Sequence, residues 1–111
     1  ETICHMCGNL DLILDDVADI GFAGVEVDYK TNIQSARDSF RGKSTVLGYL
    51  NPSGLFCHGS PEAVKKQANE VLRQFGGQGV ILGSGCALPP ITPSANVKAY
   101  VEVMHHWQKD A

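Results

Sequence analysis

The stretch 60–82, SPEAVKKQANEVLRQFGGQGVIL, holds a complete helix followed directly by a strand. Ser60 before Pro61 predicts the helix start, because serine caps a first turn and proline suits the first helical position. Apolar residues at helical spacing then form one face, which comprises Val64, Ala68, Val71, Leu72 and Phe75. The glycines Gly76 and Gly77 predict the helix end, and the apolar run 80–82 predicts a strand. A helix that leads at once into a strand indicates an α/β fold.

Two earlier helices alternate with strands in the same way. The first is expected to end at Gly21, and its apolar face comprises Leu10, Ile13, Leu14 and Val17. The second is expected to end near Gly42, and its apolar face comprises Ile33, Ala36 and Phe40. The strands that precede these helices and follow them are expected at 3–5, 25–28 and 45–50. The sequence therefore repeats one strand–helix unit from its first residues onward.

The last helix completes a fourth unit. Thr92 before Pro93 repeats the cap-and-proline start, and the expected apolar stripe is Val97, Tyr100, Val101 and Met104. Because the strands lack polar alternation, we expect a parallel sheet covered by helices. Four consecutive βα units suit either a doubly wound sheet or half of a (β/α)8 TIM barrel. We expect residues 1–111 to form a single segment, whose exposed sheet edges are covered by the missing N-terminal half of a barrel or by a second copy of this chain.

Composition excludes several classes of protein. The 111 residues are 43% hydrophobic and 19% charged with a net charge of −3, as in ordinary globular domains. The nine basic residues are scattered, which disfavours nucleic acid as a partner, and no apolar stretch reaches the roughly 20 residues of a membrane span. Four cysteines at irregular positions indicate a reduced, cytoplasmic chain with free thiols or metal ligands. The start at Glu1, already in a strand-like run, leads us to expect a piece of a larger protein.

Cysteine follows two of the four predicted strands, where parallel α/β proteins place their functional residues. His5 and Cys7 lie two positions apart and project to the same side of an extended chain, whereas Cys4 projects toward the helices. In a barrel, the loop that carries Cys86 turns toward the same mouth. Two thiolates and one imidazole are a natural zinc ligand set that leaves a fourth position open, as in catalytic sites. The alternative is that the cysteines are small buried apolar residues and that His5 is a core histidine.

Two further strand ends carry candidates for contact with a cofactor or substrate. Asp28 follows the second strand, where a helix N-cap is an equally open interpretation. Asn51 follows the third strand and precedes Pro52, so a turn residue is its alternative. The glycines around Ser84 are expected to let the backbone approach a ligand or a metal.

The pair Cys4 and Cys7 also forms a C-x-x-C motif, which invites a thioredoxin-like redox interpretation. That motif opens a helix with its first cysteine, whereas Gly8 and Asn9 separate this pair from the predicted helix. His105 and His106 are expected to lie at the surface, and His58 either at the surface or near the mouth as a hydrogen-bond donor.

Five short segments, taken in order, carry a family resemblance. They are HMCGN at 5–9, YLNP at 49–52, GSPEAV at 59–64, GCALPPITP at 85–93 and NVKA at 96–99. Together they resemble the C-terminal half of the uroporphyrinogen decarboxylase superfamily. Within it they are most similar to the zinc- and cobalamin-dependent methyltransferase branch, typified by methylcobalamin:coenzyme M methyltransferase.

The resemblance implies a (β/α)8 barrel, of which this chain supplies the last four units. It implies zinc held by His5, Cys7 and Cys86, and a methylated corrinoid (cobalamin) carried by a partner corrinoid protein. The implied enzyme moves a methyl group between that corrinoid and a small thiol or another methyl acceptor or donor. The alternatives are a metal-free decarboxylase acting on a tetrapyrrole and an inactive fragment of either enzyme. The decarboxylase carries a histidine motif near the position of Cys86, so the cysteine favours the methyltransferase, while extra-ligand roles for Cys4 and Cys57 stay open.

Overall fold

The computed structural model describes residues 1–108 and contains four strands that alternate with four helices. The strands are β1 (Ile3–Met6), β2 (Gly24–Val27), β3 (Thr45–Leu50) and β4 (Val80–Ser84). The helices are α1 (Leu14–Ile20), α2 (Ile33–Phe40), α3 (Pro61–Phe75) and α4 (Ser94–His106). One further element, a π-helical segment at Pro52–Cys57, lies between β3 and α3.

The four strands form one parallel sheet in the order β1-β2-β3-β4. Each strand lies beside the one that precedes it in sequence, with a helix between them, which is the topology of a (β/α)8 barrel segment. The predicted α/β fold of four consecutive βα units is therefore confirmed. Among residues 1–108, none of the helices is long and apolar enough to cross a lipid bilayer.

The core lies between the sheet and the helices and consists of two clusters. One cluster joins α1 and α2 to the first three strands and centres on Val25, Val27 and Phe40. The other joins α3 and α4 to β3 and β4 and centres on Phe56, Val64 and Tyr100. The opposite face of the sheet is open, with Ile3 64% and Ile81 57% exposed. Only one face of the sheet is therefore covered within the described residues.

The local helix signals of the central stretch are confirmed. Ser60 accepts a hydrogen bond from the Ala63 N–H at 3.1 Å, and Pro61 occupies the first turn of α3. Gly76 ends the helix in the left-handed conformation, φ +62°, which glycine adopts without a steric cost. These signals act within one turn of the chain, so the sequence alone specifies them.

The first helix begins four residues later than the apolar spacing predicts. Leu10 is buried but precedes α1, which starts at Leu14. The backbone before α1 makes other hydrogen bonds. The Leu10 N–H donates to Thr31 Oγ1, and the Asp11 N–H donates to the Asn9 side chain. The loop after β1 thus binds to the loop after β2 before the helix can start.

The predicted face of α4 is wrong by one position. Its buried residues are Asn96, Ala99, Tyr100 and Val103, whereas Val101 and Met104 are exposed. The Asn96 amide donates to the carbonyls of Phe56 and Gly59, which fixes how the helix is rotated about its axis. Thr92 does not cap this helix, because its hydroxyl donates to the Pro89 carbonyl instead.

Candidate metal centre

The first strand presents His5 and Cys7 on the same side. The Cys7 Sγ lies 3.3 Å from His5 Nε2, while Cys4 points the other way and packs against the core beneath α1 and α2. This arrangement follows from the period of two in an extended chain, as the sequence predicts. One strand therefore supplies a thiol and an imidazole as neighbours.

Cys86 reaches this pair through a loop that crosses the ends of the inner strands. After β4, the Gly85 N–H donates to the carbonyl of Leu50 at the end of β3, at 2.8 Å. Gly85 then lies directly against Asp28 and Tyr29 at the end of β2, where a Cβ atom would approach the Tyr29 nitrogen to 2.9 Å. Only glycine fits this contact, and the close approach of backbone to backbone brings Cys86 over the end of the sheet.

The three side chains converge. The Sγ atoms of Cys7 and Cys86 are 3.1 Å apart, and the ligand atoms of His5, Cys7 and Cys86 all lie within 4.8 Å of one another. Among residues 1–108 they are the only group of three or more such side chains close enough to hold one metal ion. Two sulfurs and one imidazole nitrogen form a borderline-soft donor set that fits zinc better than magnesium or calcium.

Glu26 supports the histidine, and the sequence analysis missed it. Its Oε1 accepts a hydrogen bond from His5 Nδ1 at 2.8 Å, because the parallel register of β1 and β2 pairs the two residues. With the proton on Nδ1, the lone pair of Nε2 faces Cys7, as required of a metal ligand. One feature of the sequence could have indicated this role: Glu26 is a carboxylate between two apolar strand residues, Val25 and Val27.

The surroundings of Cys7 favour its protonated form in the absence of a cation. The hydrogen bond with the Cys86 thiol raises the pKa of Cys7, and desolvation and the carboxylates of Asp28 and Glu26 raise it further. Any cation that binds must displace thiol protons. The arrangement is therefore chemically suited to exchange protons for a metal ion.

The side chains of the two other candidate residues, Asp28 and Asn51, accept hydrogen bonds from backbone N–H groups. Asp28 is buried, 5% exposed, and its Oδ2 accepts from the Gly8 N–H at 2.8 Å, so it caps no helix. The cap of α2 is Asn32, whose side chain accepts from the Ser35 N–H. Asn51 accepts from the N–H groups of Ser53 and Gly54 and caps the π-helical segment.

The remaining cysteine and histidine side chains lie outside the cluster. Cys57 is buried at the end of the π-helical segment, and His58 is exposed beside it. His105 and His106 are exposed in the last turn of α4. Cys4 lies on the helix side of the sheet. None of these five residues belongs to the group that surrounds Cys7.

A parallel βα sheet whose strand ends gather two thiols and an imidazole defines a barrel segment with a candidate metal centre. Residues 1–107 match the family model described as "Uroporphyrinogen decarboxylase (URO-D)". The chain belongs to the uroporphyrinogen decarboxylase family, and the predicted family resemblance is confirmed.

Similar proteins of known activity fall into two groups. The methylcobamide:CoM methyltransferase MtbA of Methanosarcina acetivorans is 31% identical over 107 residues, which are 96% of this chain and 30% of that protein. The uroporphyrinogen decarboxylase of Paraburkholderia phytofirmans is 33% identical over 95 residues, 85% of this chain and 25% of that protein. This chain thus spans less than a third of either relative, and both groups consist of enzymes.

The fold is shared with a solved structure, a methyltransferase from Methanosarcina mazei. The two chains superpose with a TM-score of 0.83 at 32% sequence identity. The match covers 94% of this chain and 30% of the methyltransferase. The strand and helix arrangement described above is therefore that of a segment of a known enzyme fold.

Proposed function

We propose that this chain is the C-terminal half-barrel of a zinc-dependent methyltransferase that exchanges a methyl group with a corrinoid protein. The observation that carries the proposal is the convergence of His5, Cys7 and Cys86, whose ligand atoms lie within 4.8 Å of one another. The similarity to methylcobamide:CoM methyltransferases supports the same assignment. The cofactors are then zinc, held by these three residues, and a methylated corrinoid presented by the partner protein.

The residues of this chain have separate roles in the proposed metal site. Cys7 and Cys86 supply two thiolates, and His5 supplies a neutral imidazole that Glu26 orients through Nδ1. When bound, zinc lowers the pKa of a small substrate thiol, so that a nucleophilic thiolate exists at neutral pH. Three protein ligands leave room for that thiol, which is the arrangement of catalytic and not of closed structural sites.

The methyl transfer balances as a displacement. The substrate sulfur would form a bond to the methyl carbon, and the corrinoid would be the leaving group that keeps the electron pair of the broken bond. The thiol proton goes to solvent. In the reverse sense, a methylated substrate gives its methyl group to the reduced corrinoid. The open face of the sheet would be covered by the N-terminal half of the barrel.

The test uses the full-length protein that contains this half-barrel, because we expect the half-barrel alone to be inactive. It measures methyl transfer from methylcobalamin to a panel of small thiols through the change in the corrinoid spectrum. We expect activity in the wild type and its loss in Cys86→Ala. Cys57→Ala is the matched control, because this buried cysteine lies outside the cluster, and it should retain activity. Thiol methylation that survives in Cys86→Ala would contradict the proposal.

The second candidate is a metal-free decarboxylase, which is favoured by the relatives of that activity at 33–35% identity. It predicts consumption of a porphyrinogen substrate with loss of carbon dioxide, unaffected by Cys86→Ala. Measuring both reactions on the same two proteins separates the candidates.

A further inference from the structure

Asp28 contacts both loops that carry the clustered thiols. It is the only carboxylate that is buried within residues 1–108. Its Oδ2 accepts a hydrogen bond from the N–H of Gly8, the residue after Cys7, at 2.8 Å. Its other side meets Gly85, the residue before Cys86, where a Cβ atom would lie 3.0 Å from the Asp28 Cα.

The hydrogen bond to Gly8 constrains Cys7 directly. The Gly8 N–H belongs to the planar peptide unit that also contains the Cys7 carbonyl, so fixing this N–H limits how the Cys7 backbone rotates. Gly8 itself has φ +89°, a conformation that frees the chain to turn away immediately after the thiol. Asp28 is the acceptor described for the Gly8 N–H, while the Thr31 hydroxyl donates to the carbonyl of the same residue at 3.1 Å.

The second oxygen of Asp28 argues against a purely stabilising role. Oδ1 is buried and has no hydrogen-bond partner within residues 1–108. A buried carboxylate oxygen without a partner is costly, and a smaller or apolar side chain would avoid that cost. The contribution of Asp28 therefore lies in the loops that it contacts, where Oδ2 holds the Gly8 N–H.

We propose that Asp28 is a positioning residue that holds Cys7 and Cys86 side by side before any metal binds. The inference rests on the proposed function only in treating these two thiols as the ligands. It requires neither zinc nor methyl transfer. It also replaces direct cofactor contact as the role of Asp28, because the carboxylate is enclosed between the two loops.

The probe is phenylarsine oxide, which captures two close thiols. Two arsenic–sulfur bonds form, the arsenic–oxygen bond breaks, and the two thiol protons leave with that oxygen as water. Metal-free protein is titrated and the adduct is measured by mass spectrometry. We expect one reagent per wild-type chain, no adduct in Cys86→Ala, and capture weakened about tenfold or more in Asp28→Ala, since a hydrogen bond to a charged group is lost.

Three variants separate positioning from charge and from loss of the fold. Asp28→Asn keeps an oxygen that can accept from Gly8 and should stay within about threefold of the wild type. Asp28→Glu keeps the charge but displaces the acceptor by one methylene group, and should weaken capture. Asp38→Asn alters an exposed carboxylate on α2 that pairs with Arg37 and takes no part in the cluster, and should leave capture unchanged.

The proposal is overturned if Asp28→Ala captures the reagent as tightly as the wild type. It is also overturned if Asp28→Asn loses as much as Asp28→Ala, because the charge and not the hydrogen bond would then matter. Should Asp28→Ala fail to fold, the proposal is tested by comparing Asp28→Glu with Asp28→Asn. Weaker capture in Asp28→Glu supports it, and equal capture in the two variants overturns it. Absence of methyl transfer together with weakened capture in Asp28→Ala would refute the proposed function and support this inference.

Discussion

The outer and inner strands of the sheet use their carboxyl ends differently. After β1 and β4, the side chains of Cys7 and Cys86 point away from the backbone and toward each other, 3.1 Å apart. After β2 and β3, the side chains of Asp28 and Asn51 turn back and accept hydrogen bonds from backbone N–H groups. The ends of the outer strands carry the candidate metal ligands, whereas the ends of the inner strands hold the loops in place.

This difference has a geometric origin. The outer strands are three positions apart in the sheet, so their loops meet only if one of them crosses the inner strand ends. The loop that carries Cys86 does so by resting on Leu50 and Asp28, the final residue of β3 and the residue after β2. The inner strand ends therefore support the loop that carries Cys86.

The largest effect is expected from Gly85→Ala, which disturbs the point where the loop that carries Cys86 crosses the inner strand ends. A Cβ atom here meets backbone atoms at 2.9 and 3.0 Å, and backbone cannot move aside as a flexible side chain can. We expect zinc affinity, measured by competition with a chromophoric chelator, to fall about 100–1,000-fold, roughly 3–4 kcal/mol.

Gly83→Ala is the matched control, two residues before Gly85 and near the end of β4. Its Cβ atom would have its nearest neighbour at 3.6 Å, an ordinary contact. Zinc affinity should stay within about threefold of the wild type. Equal losses of zinc affinity in the two variants would show that residues 83–85 do not tolerate alanine at either position, and that the close contact of Gly85 is not the cause.

The next effect concerns the stability of an inner loop. Asn96 is 1% exposed and donates to Phe56 and Gly59, so Asn96→Ala leaves two carbonyls without this partner. The free energy of unfolding, measured with urea, should fall by about 2–3 kcal/mol. Zinc affinity of the folded protein should not change, because the inner loop supplies no ligand.

The control for this loss is Asn69→Ala. Asn69 also donates to a backbone carbonyl, that of Lys65, but it is only half-buried on α3 and its hydrogen bond is exposed. Its replacement should change the free energy of unfolding by no more than about 0.5 kcal/mol. A comparable loss in both variants would mean that burial is not the cause.

A smaller effect should follow Glu26→Ala, which tests whether an inner strand assists the outer ones. Loss of the partner of His5 Nδ1 frees the imidazole to rotate and to change tautomer. Removal of such partners costs about 10–100-fold in metal affinity. Unchanged affinity, followed through the chelator competition, would show that Glu26 and His5 are only a surface pair.

The smallest effect is expected from Asn51→Ala. The side chain caps the π-helical segment through two N–H groups, and loss of such a cap costs about 1 kcal/mol. Urea unfolding should detect this change, while zinc affinity stays at the wild-type value. A substantial drop in zinc affinity would contradict the separation of outer and inner strand ends.

Local signals in the sequence predicted the fold well. Ser60, Pro61 and Gly76 act within a single helical turn, and the alternation that places His5 beside Cys7 spans two residues. Such patterns need no knowledge of the rest of the chain. The repeated strand–helix unit followed from them, whereas the choice of a barrel over a doubly wound sheet came from the family resemblance.

The features that were missed depend on contacts between distant residues. Glu26 meets His5 across 21 positions through strand register, and Asn96 meets Phe56 across 40. Hydrophobic spacing placed the face of α4 one position away because the Asn96 contact, and not the apolar residues, sets its rotation. A polar residue within an apolar strand or helix was the available signal in both cases.

The central claim is that the two outer strand ends together hold one metal ion. Plasma emission spectrometry on the full-length protein purified without chelator, wild type beside Cys86→Ala, tests it most directly. The account predicts about one zinc per chain in the wild type and almost none in the variant. No zinc in either protein, or equal zinc in both, would contradict it.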